Sequence, residues 1–132
     1  MRIHAALLSV VCLLSTATLS HAGQRIISTS IRTGVGTAGA CYIRNVGKTP
    51  IPVQVEMYQN AGFPIIISFQ NCNDVPLAAG RTCVVLANDL PDDVTFQCSA
   101  EAAGGAKHLR GNVELRSITP SGLRVILSDE VR

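Results

Sequence analysis

Ile51-Pro52-Val53-Gln54-Val55-Glu56-Met57-Tyr58 decides how this chain folds. Ile51, Val53, Val55 and Met57 fall on one side of an extended backbone, with Pro52, Gln54, Glu56 and Tyr58 on the other. That strict period of two predicts a half-buried antiparallel strand, not a helix. Upstream, Cys41 and Ile43 oppose Tyr42 and Arg44 before Asn45-Val46-Gly47-Lys48 turns the chain. Downstream, Asn60-Ala61-Gly62 makes the next turn, and Phe63, Ile65, Ile67 and Phe69 resume the alternation. Ile66 adds an apolar residue to the opposite face, so residues 63–69 are expected as one strand covered on both sides or placed at an interface. Pro52 and Pro64 belong at a strand start or on an edge, since neither can donate to a ladder.

The same pattern runs to the end of the chain. Residues 71–80 form a loop, residues 81–87 a short buried strand, and Asn88-Asp89-Leu90-Pro91-Asp92-Asp93 a polar turn. Val94, Phe96, Cys98 and Ala100 face inward on the following strand, with Thr95, Gln97, Ser99 and Glu101 outward, before Gly104-Gly105 reverses the chain. Leu109, Val113 and Leu115 alternate with Arg110, Glu114 and Arg116, and Thr119-Pro120-Ser121-Gly122 has the chemistry of a tight turn. Leu123, Val125 and Leu127 are then expected to close the domain. With residues 25–31 as a first strand, about seven or eight short strands at regular spacing predict an antiparallel all-β sandwich or barrel.

The first 22 residues read differently. A short basic lead, an apolar run from Ala5 to Leu14 broken only by Ser9, and small residues at Ser20-His21-Ala22 make a secretory signal peptide with a cut before Gly23. That apolar run is too short to span a bilayer, so no membrane insertion is expected after cleavage. Residues 23–132 are expected as a single domain, secreted or periplasmic. Losing Arg2 with the leader leaves ten basic side chains of the original eleven, against nine acidic ones. The basic residues are scattered and only Tyr42, Tyr58, Phe63, Phe69 and Phe96 are aromatic, which argues against nucleic-acid binding.

Export would place Cys41, Cys72, Cys83 and Cys98 in an oxidising compartment, where an even count points to disulfides. Three pairings are open. Strand phase turns Cys41 and Cys98 into the core, favouring Cys41 with Cys98 and Cys72 with Cys83; the rival joins Cys41 to Cys72 and Cys83 to Cys98. No Cys-x-x-Cys spacing invites metal or redox chemistry. Asp92-Asp93-Val94-Thr95-Phe96-Gln97-Cys98 resembles the segment that ends in the second core cysteine of immunoglobulin-like domains, with Phe96 in place of the corner tyrosine. Asn45-Val46-Gly47 and residues 53–62 resemble the second and third strands of bacterial secreted immunoglobulin-like modules of the CARDB-like kind. The resemblance implies an immunoglobulin-like β-sandwich, in which Met57 or Phe69 takes the place of the missing core tryptophan. It carries over no functional residue.

Catalytic chemistry finds little material. Gly34-Val35-Gly36-Thr37-Ala38-Gly39 matches the spaced glycines of a dinucleotide loop, but a strand follows where a helix is required, so a flexible loop and no bound cofactor are expected. His108 is the one histidine beyond the leader, near no Gly-x-Ser-x-Gly elbow, and reads as a surface side chain. A hydrolase would need it buried beside Ser99, Ser117 or Ser121 and a carboxylate. Asp92-Asp93 and Asp129-Glu130 read as solvating charges; Asn88, Asp89, Asp92 and Asp93 together offer oxygen ligands for calcium, without EF-hand spacing. Arg110, Arg116 and Arg124 are expected on the outer face of the last two strands, as a solvated face or a site for an acidic partner. Tyr42, Tyr58 and Ile66 are candidates for an exposed apolar patch. The expectation is an exported, non-catalytic protein that binds or builds, with an unidentified protein or envelope component as partner and an open oligomeric state. The alternatives are a small secreted hydrolase or enzyme inhibitor, and a surface-fibre subunit assembled by strand addition.

Overall fold

A computed structural model describes residues 24–28, 30–60 and 62–131, the side chains of Gln24 and Leu123 excepted. The leader therefore lies outside the described residues. Ten strands follow in chain order: β1 Gln24–Ile27, β2 Ile31–Arg32, β3 Thr37–Asn45, β4 Val53–Gln59, β5 Phe63–Pro64, β6 Phe69–Gln70, β7 Thr82–Ala87, β8 Thr95–Ala102, β9 Leu109–Thr119 and β10 Gly122–Val131. One short 3-10 turn, Ala106–His108, precedes β9. All pairing is antiparallel, in two sheets. The first is ordered β1-β8-β4-β5, with β2 also on β8; the second is ordered β10-β9-β3-β7-β6.

Alternation builds the interface between them. In β4, Val53, Val55 and Met57 are buried while Gln54 and Glu56 are exposed; in β8, Phe96, Cys98, Ala100 and Ala102 are buried. Opposite them β3 contributes Cys41 and Ile43, β7 contributes Val85, and β9 contributes Leu109, Val113 and Leu115. A Cys41–Cys98 disulfide, Cα atoms 5.9 Å apart, joins β3 of one sheet to β8 of the other. A second, Cys72–Cys83, ties the loop after β6 to β7. Each bridge restricts the unfolded chain, by about 4 kcal/mol for the long loop and about 3 for the short one in the loop-entropy account. Met57 stands opposite Cys98 in the β4–β8 ladder and is buried, whereas Phe69 is half-exposed on edge strand β6 and fills no core position.

Two expected strands are broken. Residues 63–69 do not form one strand: β5 pairs with β4 and β6 pairs with β7, so the chain crosses from one sheet to the other between them. Ile65 is buried and its N–H reaches the Met57 carbonyl at 3.0 Å, whereas Ile66 is 91% exposed on the crossing. The first strand breaks at Ser28, whose Oγ accepts the Cys98 N–H at 2.9 Å while its own N–H bonds the Cys98 carbonyl. After this break the register on β8 shifts by one residue.

The terminal strands also depart from the immunoglobulin constant-type order, in which the strand after the second core cysteine stays beside that cysteine's strand. Here β9 crosses to pair with β3, and β1 takes the place beside β8. The glycine run at 34–39 serves this architecture. Gly36 turns the chain at φ +65°, and a Cβ on Gly39 would stand 2.7 Å from Met57 Cε and 3.1 Å from the Phe96 ring. Gly39 lies inside β3, where side chains of the opposite sheet press close against the strand.

Candidate functional site

His108 is exposed at the end of the 3-10 turn, its Cβ packed near Gly47. No hydrogen bond among the described residues joins its side chain to a serine or carboxylate. Ser117 lies nine residues farther along β9, roughly 30 Å away at strand rise, and Ser121 lies beyond it in the hairpin turn. Ser99 is buried on the outer side of β8, its hydroxyl without a partner. It borders a small pocket of about 220 Å³ with Arg25, Ile27, Tyr58 and Gln97. Beside this pocket Arg25 pairs with Glu101 at 2.8 Å, and the Tyr58 hydroxyl donates to Glu56. The bond to Glu56, aided by burial, raises the Tyr58 pKa.

The other candidates are dispersed. Asp93 sits at φ +58° and accepts from Arg32 Nε at 2.7 Å, and the Asn88 backbone N–H donates to Ser68 Oγ. Among the described residues no three His, Cys, Asp or Glu side chains form a metal-holding group. Tyr42 is on the outer face of the second sheet and Tyr58 on that of the first, with Ile66 on the crossing, so these three form no common patch. The three arginines separate as well. Arg110 donates to the Lys107 and Leu109 carbonyls. Arg116 donates to Glu114 at 2.7 Å and to the Tyr42 hydroxyl, with its guanidinium 5.5 Å from the ring centroid. Burial opposes the Arg116 charge, but Glu114 and Tyr42 together outweigh it and raise its pKa. Arg124 is opposite Ser117, on the inner side of the sheet rather than the outer one, because the β9–β10 register slips between Val125 and Leu127.

That slip belongs to the feature that sequence reasoning missed. Val125, Ile126 and Leu127 are 47%, 55% and 49% exposed, so this segment does not close the core as expected. Its strand, β10, is an edge. The sandwich's other edges are blunted: β5 and β6 have two residues each, β5 carries Pro64, and the β1 edge ends at Ser28, bridged to Val131. By contrast β10 has ten residues, contains neither proline nor lysine, and among the described residues forms a ladder with β9 and, beyond it, only the bridge from Val131 to Ser28.

Backbone direction along this edge follows from β9. Ile118 N–H bonds the Gly36 carbonyl and Val46 N–H bonds the His108 carbonyl, so even-numbered β9 residues turn toward β3 and odd-numbered ones toward β10. The β10 partners of the odd residues are Arg124, Leu127, Asp129 and Val131. Leu123, Val125 and Ser128 therefore turn their backbone groups away from β9, while the end of the strand is bridged to Ser28 through Val131. The sheet offers a row of donors and acceptors flanked by apolar side chains, an arrangement suited to adding a strand. No known family model matches the chain, and no curated protein or solved structure matches it.

Proposed function

We propose that this is an exported, non-catalytic, immunoglobulin-like β-sandwich with a binding or structural role at the cell envelope or outside the cell, acting through the free edge of β10. Its terminal strands have exchanged sheets relative to the constant-type order. The observation that carries this is the long β10 edge with Val125, Ile126 and Leu127 half-exposed along its middle. Monomeric sandwiches blunt such edges because they recruit further strands, and an edge left open over this length is best explained by use. Two disulfides and the absence, among the described residues, of a helix able to cross a membrane agree with work outside the cytoplasm.

A photo-crosslinking residue at position 126, in cells producing the full chain, tests the reading. The same residue at position 66, highly exposed but away from the edge, is the control. Crosslinks from 126 and not from 66, in the exported fraction, are expected. Absence of crosslinks from 126, or retention of the chain in the cytoplasm, would overturn it.

A further inference from the structure

We propose that a groove beside β4 is a second binding site, for a short extended peptide with both termini free. It is separate from the β10 edge and does not depend on it. Its signal is a ladder broken in the middle. Asn60 N–H bonds the Thr95 carbonyl and Ala103 N–H bonds the Pro52 carbonyl, so even-numbered residues along β4 turn toward β8 and odd-numbered ones away from it. On that other side the loop after β6 runs antiparallel to β4. Ile51 and Leu77 exchange both backbone bonds, at 3.0 and 2.8 Å. Farther along, the Asn73 side chain meets Val55: Oδ1 accepts its N–H at 2.9 Å and Nδ2 donates to its carbonyl at 3.4 Å. Val53 stands between these two pairs and falls opposite Val75 in the same register, yet no hydrogen bond among the described residues joins them.

The break opens into a groove of about 690 Å³, a size common among small-ligand sites. Val53 keeps its side chain in the core, so what it lends to the groove is its backbone. Its N–H and C=O turn to the same side, the pair that one residue of an antiparallel strand satisfies. Asn73 already sets an amide against the neighbouring pair at Val55, and Val75, 67% exposed, supplies an apolar wall. Charge then selects the occupant. Glu101 in the groove is taken up by Arg25 at 2.8 Å, whereas Asp74 and Lys107 have no ion-pair partner among the described residues. An antiparallel ligand runs from the level of Val55 to that of Ile51. Its ammonium therefore falls toward Asp74, beside Asn73, and its carboxylate toward Lys107, past the end of β8. The loop is fastened at both ends, by the Cys72–Cys83 bridge and by the Ile51–Leu77 pair, so little ordering is left for binding to impose.

Titrating the isotope-labelled, disulfide-intact chain with the tripeptide Ala-Val-Ala, and following backbone amide resonances, tests the site. The Val53 resonance is expected to move and to saturate in the millimolar range, while those of Val125 and Ser128 in β10 stay in place. Acetylating the amino end or amidating the carboxyl end of the tripeptide should each weaken binding. Asp74→Lys and Lys107→Glu, both at exposed positions, should each weaken it about tenfold. If either variant fails to fold, the blocked tripeptides decide alone. No movement at Val53 up to about 20 mM peptide would overturn the site. So would equal binding of the free and the doubly blocked tripeptide. Movement confined to β10 would also overturn it, while supporting the edge as a binding surface.

Discussion

Replacing Asn45 should cost more than any other polar substitution in the sandwich. Its side chain is fully buried at the end of β3. Nδ2 donates to the Thr49 carbonyl at 2.7 Å and the Leu77 carbonyl at 2.9 Å, and Oδ1 accepts the Gly47 N–H at 2.8 Å. Its own N–H reaches the Arg81 carbonyl, and its carbonyl accepts from Gly80. One residue thus fastens the turn after β3 and the long loop before β7 to the same point. Three side-chain hydrogen bonds at about 1 kcal/mol each give a loss of about 3 kcal/mol for Asn45→Ala, which leaves their partners unsatisfied. For a domain of this size that is a fall of roughly 10 °C in the unfolding midpoint. Asn45→Asp is isosteric but loses both donors and aims a carboxylate at two carbonyl oxygens, so it should cost more at neutral pH. Burial and the two facing carbonyl oxygens should raise the substituted carboxyl's pKa above its unfolded value. Its penalty is therefore smallest below the ordinary carboxylate range and grows as pH rises through the folded pKa. Urea unfolding followed by far-ultraviolet circular dichroism, with disulfides intact, reads both effects. An Asn45→Ala variant within about 0.5 kcal/mol of the parent would refute the reasoning. So would an Asn45→Asp deficit unchanged between about pH 4 and about pH 8.

Three further outcomes are expected. Gly111→Ala puts a Cβ 2.6 Å from Val131 Cβ and 2.9 Å from Ile43 Cδ1, so it should destabilise by about 1–3 kcal/mol and raise amide exchange at the Ser28–Val131 bridge, read by hydrogen-exchange mass spectrometry. In a Tyr42→Phe background, ultraviolet titration should show Tyr58 ionising above the ordinary tyrosine value, and Glu56→Gln should lower it; the stability gained from its neutral form is present below that ordinary value and is lost as pH rises through the folded pKa. Replacing Cys41 and Cys98 together by alanine should cost more than replacing Cys72 and Cys83, by about 1 kcal/mol in chain entropy plus the loss of two fully buried sulfurs, measured by urea unfolding.

Much of the fold was legible because period-two alternation and turn residues are local signals. The inward faces of β4 and β8 were read correctly, and phase alone favoured the Cys41–Cys98 pairing over its rivals. What escaped depends on one-residue irregularities or on distant neighbours. The slip at Ile126 moves Arg124 to the other face without any mark in the sequence. Val125 and Leu127 have the spacing of a core face, but the slip turns them to opposite sides of the sheet, Val125 beside Arg116 and Leu127 beside Leu115, and both stay half-exposed. The crossing after β5 was hidden because Ile65, Ile67 and Phe69 keep the alternation of a strand while the chain between Ile65 and Phe69 passes from one sheet to the other. Asn45 could be read as a turn residue but not as a buried hub, since Leu77 and Arg81 are remote in sequence. For the candidate edge the chain gave its apolar residues but not its openness, which is a property of the sheet order.

The two bridges are nested: Cys72–Cys83 lies wholly inside the loop closed by Cys41–Cys98. For a chain delivered to an oxidant amino terminus first, the cysteines emerge in numerical order, and Cys41 meets Cys72 well before Cys98 arrives. Oxidation in order of arrival gives the wrong partners, and only thiol–disulfide exchange can undo them. The yield of native protein should therefore depend on an isomerase or a redox buffer rather than on oxidant alone. A producing cell would spend its effort on correcting this molecule, not merely on oxidising it.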